Sequence, residues 1–577
     1  METLINLVVT IRIMVFFTTV TDESGHEYLY AEERGWVDGK VKRTFSKYLG
    51  PRSQFSDVPR GKRQGIDPED CTVKPFEFGI SAAMWGVAQE LGLPGIIDAI
   101  VGKKKGQHPS AGEYLTIAAI NRVADPCSKS LMSEWFARDW LSTRLPVDPA
   151  ALNAQTYWNY FQKLSPAVFE TVELELAKRV QARYQLSWDH LLYDTTNFFT
   201  FAAPDPLGEG LLHFGHCKQN RNNLPLVNVY LLCSQPWGIP LMHRAYPGND
   251  QDAKTFKGVP QEVAGHLLKL GVDPAKVTLG FDKGNLSPAG MKEVDAKHFK
   301  FVGSLKNSTQ KDLLHTPRDQ FSKGVLPQSK KAVEYFRAEQ EVYDHARTVF
   351  VVVDPAKERK QVLKFNAELA ARQAKIEKFV SESLNLKKWR DPKAVSTKVR
   401  SLISKKNPWK SVLTFDVSGE YGALAVTVAV DQAAKNSHEE TLGRSILFTN
   451  QAGWTPEEVI WSYREQYIIE HAFREMKDPA VIAIRPMFHW SEKSIEGHVF
   501  TCVLGFFLLA VLRLKLGVKG IPASYKTIVR KLKHVHVSRV ETHHPHQIFF
   551  KIEPTSGSAA KFVQLLHLGD LITRGGR

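Results

Sequence analysis

Three carboxylates stand where an acid is either costly or well placed. Asp194 lies inside the apolar run LLYDTTNFFTF (191–201), where loss of water penalises a charge without a partner. Asp282 follows the short apolar stretch VTLGF (277–281) and precedes Lys283-Gly284; the ends of strands are where α/β sheets place functional groups. Glu470 falls within WSYREQYIIEHAFREMK (461–477), whose spacing predicts a helix. These acids are 88 and 188 residues apart, so only a fold can bring them together. Hard divalent cations prefer oxygen ligands. In phosphodiester chemistry two ions about 3.5–4 Å apart can activate the attacking oxygen and stabilise the leaving one. Two strand aspartates and a helical glutamate supply the ligand types that Mg²⁺ or Mn²⁺ would take.

The helical arithmetic around Glu470 adds cations to the acid. At about 100° per residue, Tyr463, Tyr467, Glu470, Arg474 and Lys477 share one stripe, with Ile469, Ala472, Phe473 and Met476 broadly opposite. Such a face can offer Glu470 to a metal while Arg474 and Lys477 meet phosphates, and Tyr463 joins them as a candidate DNA contact. Each residue also has an ordinary reading. Asp282 suits an Asx-type turn, Asp194 a turn or cap, and the Glu470 stripe a solvated face held by i,i+4 pairs.

Other polar groups carry weaker signals. Asp252, after the Pro-Gly-Asn turn, reads as a helix cap. His213, His216 and Cys217 lack a distant second pair of metal ligands and read as a loop near the acids. His489 and His498 suit core hydrogen bonding. The five cysteines (71, 127, 217, 233 and 502) are scattered and form no C-x-x-C pair, which excludes a zinc ribbon, argues against a disulfide scaffold and fits a reducing cytoplasm.

Elements must position these residues, and the chain is long enough to supply several domains. It has 577 residues, 76 Lys+Arg against 61 Asp+Glu, a net charge of +15 and 43% apolar residues. The proportions are globular and the excess charge favours a polyanionic partner, nucleic acid before membrane. The apolar run 4–20 is broken by Arg12 and suits a strand better than a signal or membrane helix, and Met14 is an alternative start. The run 501–512 is too short to span a bilayer and reads as a buried helix.

Segment by segment, 1–75 reads as strands (with a hairpin turn at 37–40) and a polar linker over 51–70, and 76–185 as a helical, DNA-binding domain. Residues 186–306 read as strands and helices of an α/β catalytic domain. The interval 307–455 reads as a β-rich insertion with a basic helical segment; between Ala356 and Lys410 stand 16 basic and 5 acidic residues. Residues 456–520 return to helix and carry Glu470, and 521–577 reads as a basic tail.

Four stretches carry a resemblance: YDTTNFFTF, GNDQDAKTF (248–256), LGFDKGNLSPAG and YREQYIIEHAFREMKDPAVIAIRPMFHW. In this order they resemble the motifs of DDE transposases of bacterial insertion sequences, more narrowly the insertion-sequence-four superfamily, over residues 14–515. The resemblance implies an α/β fold with an RNase-H-like mixed sheet flanked by helices, a β-rich insertion and an N-terminal helical domain. It implies Asp194, Asp282 and Glu470 as catalytic and metal-binding residues for two Mg²⁺ or Mn²⁺ ions. The family signature Y-x-x-R-x-x-x-E-x-x-x-x-x-x-K is matched at Tyr463, Glu470 and Lys477, but Gln466 stands at the arginine position, with Arg464 or Arg474 as possible substitutes.

The implied activity is metal-dependent strand cleavage at element ends followed by 3′-OH transfer into target DNA. The implied partners are double-stranded DNA, as terminal inverted repeats and target, and a second copy of the chain in a synaptic homodimer, with no membrane. The implied location is the bacterial cytoplasm, at the nucleoid. The rivals are an RNase-H-like nuclease without strand transfer, an inactive DNA-binding regulator, and a two-carboxylate glycosidase, which the basic flanks of Glu470 disfavour.

Overall fold

The β-branched and aromatic residues near the start of the chain suit strands, and they fold into an antiparallel meander of β1 (Met14–Thr21), β2 (Glu27–Val37) and β3 (Lys40–Pro51). The computed structural model describes residues 14–37, 40–52, 71–204, 207–404, 406–485, 487–543 and 546–573. Residues 1–13, the Asp38-Gly39 turn and most of the 51–70 linker lie outside them.

After β4 (Cys71–Glu77) the chain is helical to Tyr184. Local chemistry sets the helix starts. Ser110 and Glu113 form a reciprocal capping box before Ala111–Ala124, and Ser165 caps Pro166–Tyr184 with proline in the first turn. This region is not an isolated unit. Its apolar core runs without a break into that of the large sheet described next. The join is the helix Glu492–Val518, which contains the apolar run 501–512 and is buried over most of its length. At Gly505 an added Cβ would lie 2.8 Å from the Ala119 carbonyl oxygen, so glycine permits this close helix crossing.

The region that follows is a mixed α/β assembly built on one large sheet. Its first strands are β5 (His190–Phe199), β6 (Leu226–Ser234), β7 (Pro240–Pro247), β8 (Thr278–Phe281) and β9 (Lys300–Leu305). β6 and β8 are buried along their whole length, as expected of strands covered on both faces. β5, β6 and β7 pair antiparallel, whereas β5, β8 and β9 pair parallel. That order is compatible with an RNase-H-like sheet.

The interval 307–455 divides in two. β10 (Ser322–Val325), β11 (Ala332–Val342) and β12 (His345–Val353) are not a separate β module. They extend the main sheet to nine strands, because β12 pairs with β15 (Arg444–Thr449), and β15 pairs with β9. Between them, the hairpin of β13 (Leu413–Glu420) and β14 (Ala423–Val430) joins the helices Pro355–Glu382 and Pro392–Ile403 in a mainly helical insertion. The insertion has its own small core, built around Phe365, Phe379, Val399 and Trp409.

Residues after 520 are not a simple tail. The helix Tyr525–Lys533 leads to β16 (His536–His543) and β17 (His546–Ile552), and β16 pairs with β4. The strand that precedes the helical region therefore shares a sheet with the last two strands.

Candidate active site

Register decides where the first two acids meet. β5 and β8 run parallel with Tyr193 opposite Phe281. The next residue on each strand is an aspartate, so Asp194 and Asp282 leave neighbouring strands at the same level. Parallel strands lie about 4.8 Å apart, so 88 residues of separation close to adjacency. Both side chains are half-buried.

Asp194 is held from below. After Asp282 the chain makes a short 3₁₀ turn, Lys283–Asn285, which brings Asn285 back beneath β5. The Asn285 amide nitrogen donates to Asp194 Oδ1 at 3.4 Å, and its oxygen accepts from Thr195 Oγ1 at 3.2 Å. Burial pushes the Asp194 carboxyl up to about 6; the Asp282 charge adds to that rise, and Lys218 opposes it. Lys218 is fixed between the Thr195 carbonyl (2.8 Å) and Asp252 Oδ2 (3.3 Å).

Asp252 is not the cap that its position suggests. It is the first residue of a one-turn helix and spends its carboxylate on Lys218 and on the Tyr246 hydroxyl at 2.8 Å. The loop carrying His213, His216 and Cys217 is tied to β5, since Asn197 donates to the His216 carbonyl at 2.9 Å. His489 and His498 face each other with rings 4.9 Å apart, and His498 hydrogen-bonds the Ile484 carbonyl. They sit in the core, away from the three acids.

Asp282 is held by hydroxyls instead. Ser304 Oγ on β9 and the Tyr463 hydroxyl both donate to Asp282 Oδ1, at 2.8 and 2.9 Å. Burial, and then the Asp282 charge, raise the Tyr463 hydroxyl well above the ordinary phenol range, so it stays a donor.

The glutamate segment is two helices rather than one. Thr455 and Glu458 form a capping box ahead of Pro456–Arg464, and the chain turns at Glu465-Gln466 before Tyr467–Lys477. The break points Tyr463 down at Asp282 and leaves Tyr467 exposed, so these two do not share the expected stripe. On the second helix Ile469, Ala472, Phe473 and Met476 are buried, as the periodicity requires. Gln466, at the family's arginine position, is buried and donates to the Tyr193 carbonyl at 3.1 Å. It fits because residue 280 is glycine: a Cβ there would stand 2.7 Å from Leu192 Cδ2 and 3.3 Å from Gln466 Oε1.

Glu470 is exposed. Its carboxyl is raised from the ordinary value by the protein mass around it first and by Asp282 second, with Arg474 opposing. Of the two aspartates, Asp282 is the one whose charge acts on it. Among the described residues, however, no three His, Cys, Asp or Glu side chains converge closely enough to hold a metal ion. The aspartates offer hard oxygen donors suited to Mg²⁺ or Mn²⁺, and Glu470 stands outside that pair.

Lys477 closes the Asp194 end. Its ammonium donates to Thr196 Oγ1 at 2.5 Å and lies 5.4 Å from the Phe198 ring centroid. Burial, then Lys218 and Arg485, lower it to about 8, while Asp194 opposes. Arg474 remains largely exposed beside Glu475. Sequence reasoning missed Lys218, Asn285 and Ser304. Asn285 had a signal in the DKGN turn, whereas Lys218 and Ser304 looked like ordinary loop and strand residues.

No protein-family model matches this chain, and no curated protein sequence matches it. Among solved structures it is similar to a piggyBac transposase synaptic complex with hairpin DNA, determined by cryo-EM, at 8% identity and a TM-score of 0.34, over 80% of this chain and 82% of that one. At that level of similarity the activity of that protein does not transfer to this chain.

Proposed function

We propose that this chain is a metal-dependent DNA transposase of the DDE type, within the insertion-sequence-four superfamily that its motifs resemble. The observation that carries the reading is the common level of Asp194 and Asp282 on adjacent parallel strands, with Glu470 electrostatically coupled to Asp282. An antiparallel trio followed by a parallel pair supports an RNase-H-like sheet. Lys218 and Lys477 give that centre the cations a phosphodiester needs.

Asp194 and Asp282 would hold Mg²⁺ or Mn²⁺, which supplies Lewis acidity for activating an oxygen nucleophile and stabilising a leaving one, and Glu470, the third ligand the resemblance implies, would have to move toward the pair to join them. Asn285, Ser304 and Tyr463 hold the two aspartates in place, and Lys477 meets a phosphate oxygen. Double-stranded DNA is the substrate and a second copy the synaptic partner.

The test is purified protein with labelled element ends and Mg²⁺. Nicking followed by joining supports this reading, and nicking alone points to a nuclease. A gel shift without cutting points to an inactive regulator, the reading favoured by the exposed position of Glu470 outside the aspartate pair.

A further inference from the structure

Beside Asp282 a cavity of about 550 Å³ opens between the main sheet and the insertion. Its wall includes Lys283, Lys357, His438 and Arg444, together with Ser304 and Tyr463, the two hydroxyl donors to Asp282. Among the described residues no carboxylate lines it. The cations come from separate elements: Lys283 from the turn after β8, Lys357 from the first turn of the insertion helix Pro355–Glu382, and Arg444 from β15.

These cations differ in how free they are. The Arg444 guanidinium is buried and donates to the Leu314 and Thr316 carbonyls, both at 2.7 Å, so it shapes the wall. Lys357 is exposed, and its ammonium is steadied by donation to Ser445 Oγ at 2.9 Å. Among the described residues the Lys283 ammonium has no hydrogen-bond or ion-pair partner, and it is exposed. Two exposed ammonium groups on one wall gain from a polyanion that enters between them.

Resting on the transposase reading, we propose that this cavity holds the sugar-phosphate of a single DNA strand on the Asp282 side of the scissile bond, with Lys283 and Lys357 as its phosphate contacts. Its volume admits about one nucleotide unit and excludes a duplex. Lys218 and Lys477 lie at the Asp194 end and Lys283 and Lys357 at the Asp282 end, so the two cation pairs bracket the aspartates along one path. The insertion thereby adds a residue to the site that the central sheet alone lacks.

The experiment measures equilibrium binding of two fluorescein-labelled oligonucleotides in Ca²⁺ at low salt, one a blunt duplex and one bearing a short single-stranded overhang. Lys357→Glu is expected to weaken the overhang substrate on the order of tenfold and the blunt duplex much less, and Lys357→Arg to retain wild-type affinity. Lys410→Glu, the same charge change at another exposed site on the insertion, is expected to affect both substrates alike. Equal loss on both substrates for Lys357→Glu, or none on either, overturns the proposal while leaving the transposase reading intact. Failure of the wild-type chain to bind either oligonucleotide overturns both. An unchanged melting temperature for Lys357→Glu establishes that the effect is local.

Discussion

The two aspartates are alike in type and level but live in different surroundings. Asp194, on β5, is braced by a buried amide and flanked by Lys218 and Lys477. Asp282 is braced by two hydroxyls on a single oxygen and opens toward the cationic cavity. Burial raises the first to about 6, because little water reaches it to stabilise its charge. The difference teaches that a strand register can duplicate a position without duplicating its chemistry. What distinguishes the two ends is which later elements fold over them: the Lys477 helix over one, the Tyr463 helix and the insertion over the other.

The largest expected effect tests what the two ends share. Asp194→Ala and Asp282→Ala should each reduce cleavage of labelled DNA at least about a thousandfold, since each removes an oxygen ligand from one cluster. Glu470→Ala should do the same despite its exposed position. Retained cleavage in that variant would mean the third acid lies elsewhere.

A smaller effect separates the ends. Lys477→Ala should cost about 2 kcal/mol of transition-state stabilisation, some 30-fold in kcat/KM, as for a lost hydrogen bond to a charged group. Cleavage kinetics under single-turnover conditions would measure it. A loss below about twofold would detach Lys477 from the reacting phosphate.

The Lys477 end should also respond to pH. The ammonium is lowered to about 8, so its charge is present below that pH and lost as pH rises through it. DNA affinity at low salt should therefore fall between about pH 7.5 and 9 in the wild-type chain. Lys477→Arg, charged throughout, should show no such fall; a parallel decline in both would place the titrating group elsewhere. The sign for stability is opposite. The unfolded chain binds more protons at this site between about 8 and 10.5, so the site's contribution to stability grows as pH rises over that window.

The smallest effect concerns the Asp282 brace. Tyr463→Phe removes one of two donors to Asp282 Oδ1 and leaves Ser304 in place, so cleavage should drop only about fivefold, near 1 kcal/mol. Tyr463→Phe combined with Ser304→Ala should exceed the sum of the two, because the second loss frees the carboxylate entirely. Additive losses would show that the hydroxyls brace it independently.

Much of this was legible in the chain. An aspartate inside LLYDTTNFF, another after VTLGF and an amphipathic segment around Glu470 mark positions where composition and period conflict with a merely structural role, and those conflicts are local. Helix starts at Ser110, Ser165 and Thr455 were likewise written in capping residues. The basic character of residues 356–410 was a matter of counting. What the sequence could not show was the break at Glu465-Gln466, because each half keeps a good helical period and only packing over Gly280 selects the turn.

By itself, then, the chain indicated most elements, their apolar faces and three candidate acids, because propensity, capping and periodicity act over a few residues. Only the tertiary structure decided that Asn285 turns back under Asp194, that Tyr463 and Ser304 converge on one oxygen of Asp282, and that β10–β12 and β15 extend the main sheet. The physical reason is range. Strand pairing and hydrogen bonds between residues tens to hundreds of positions apart are fixed by the register and shared core of the whole molecule, which no local pattern encodes.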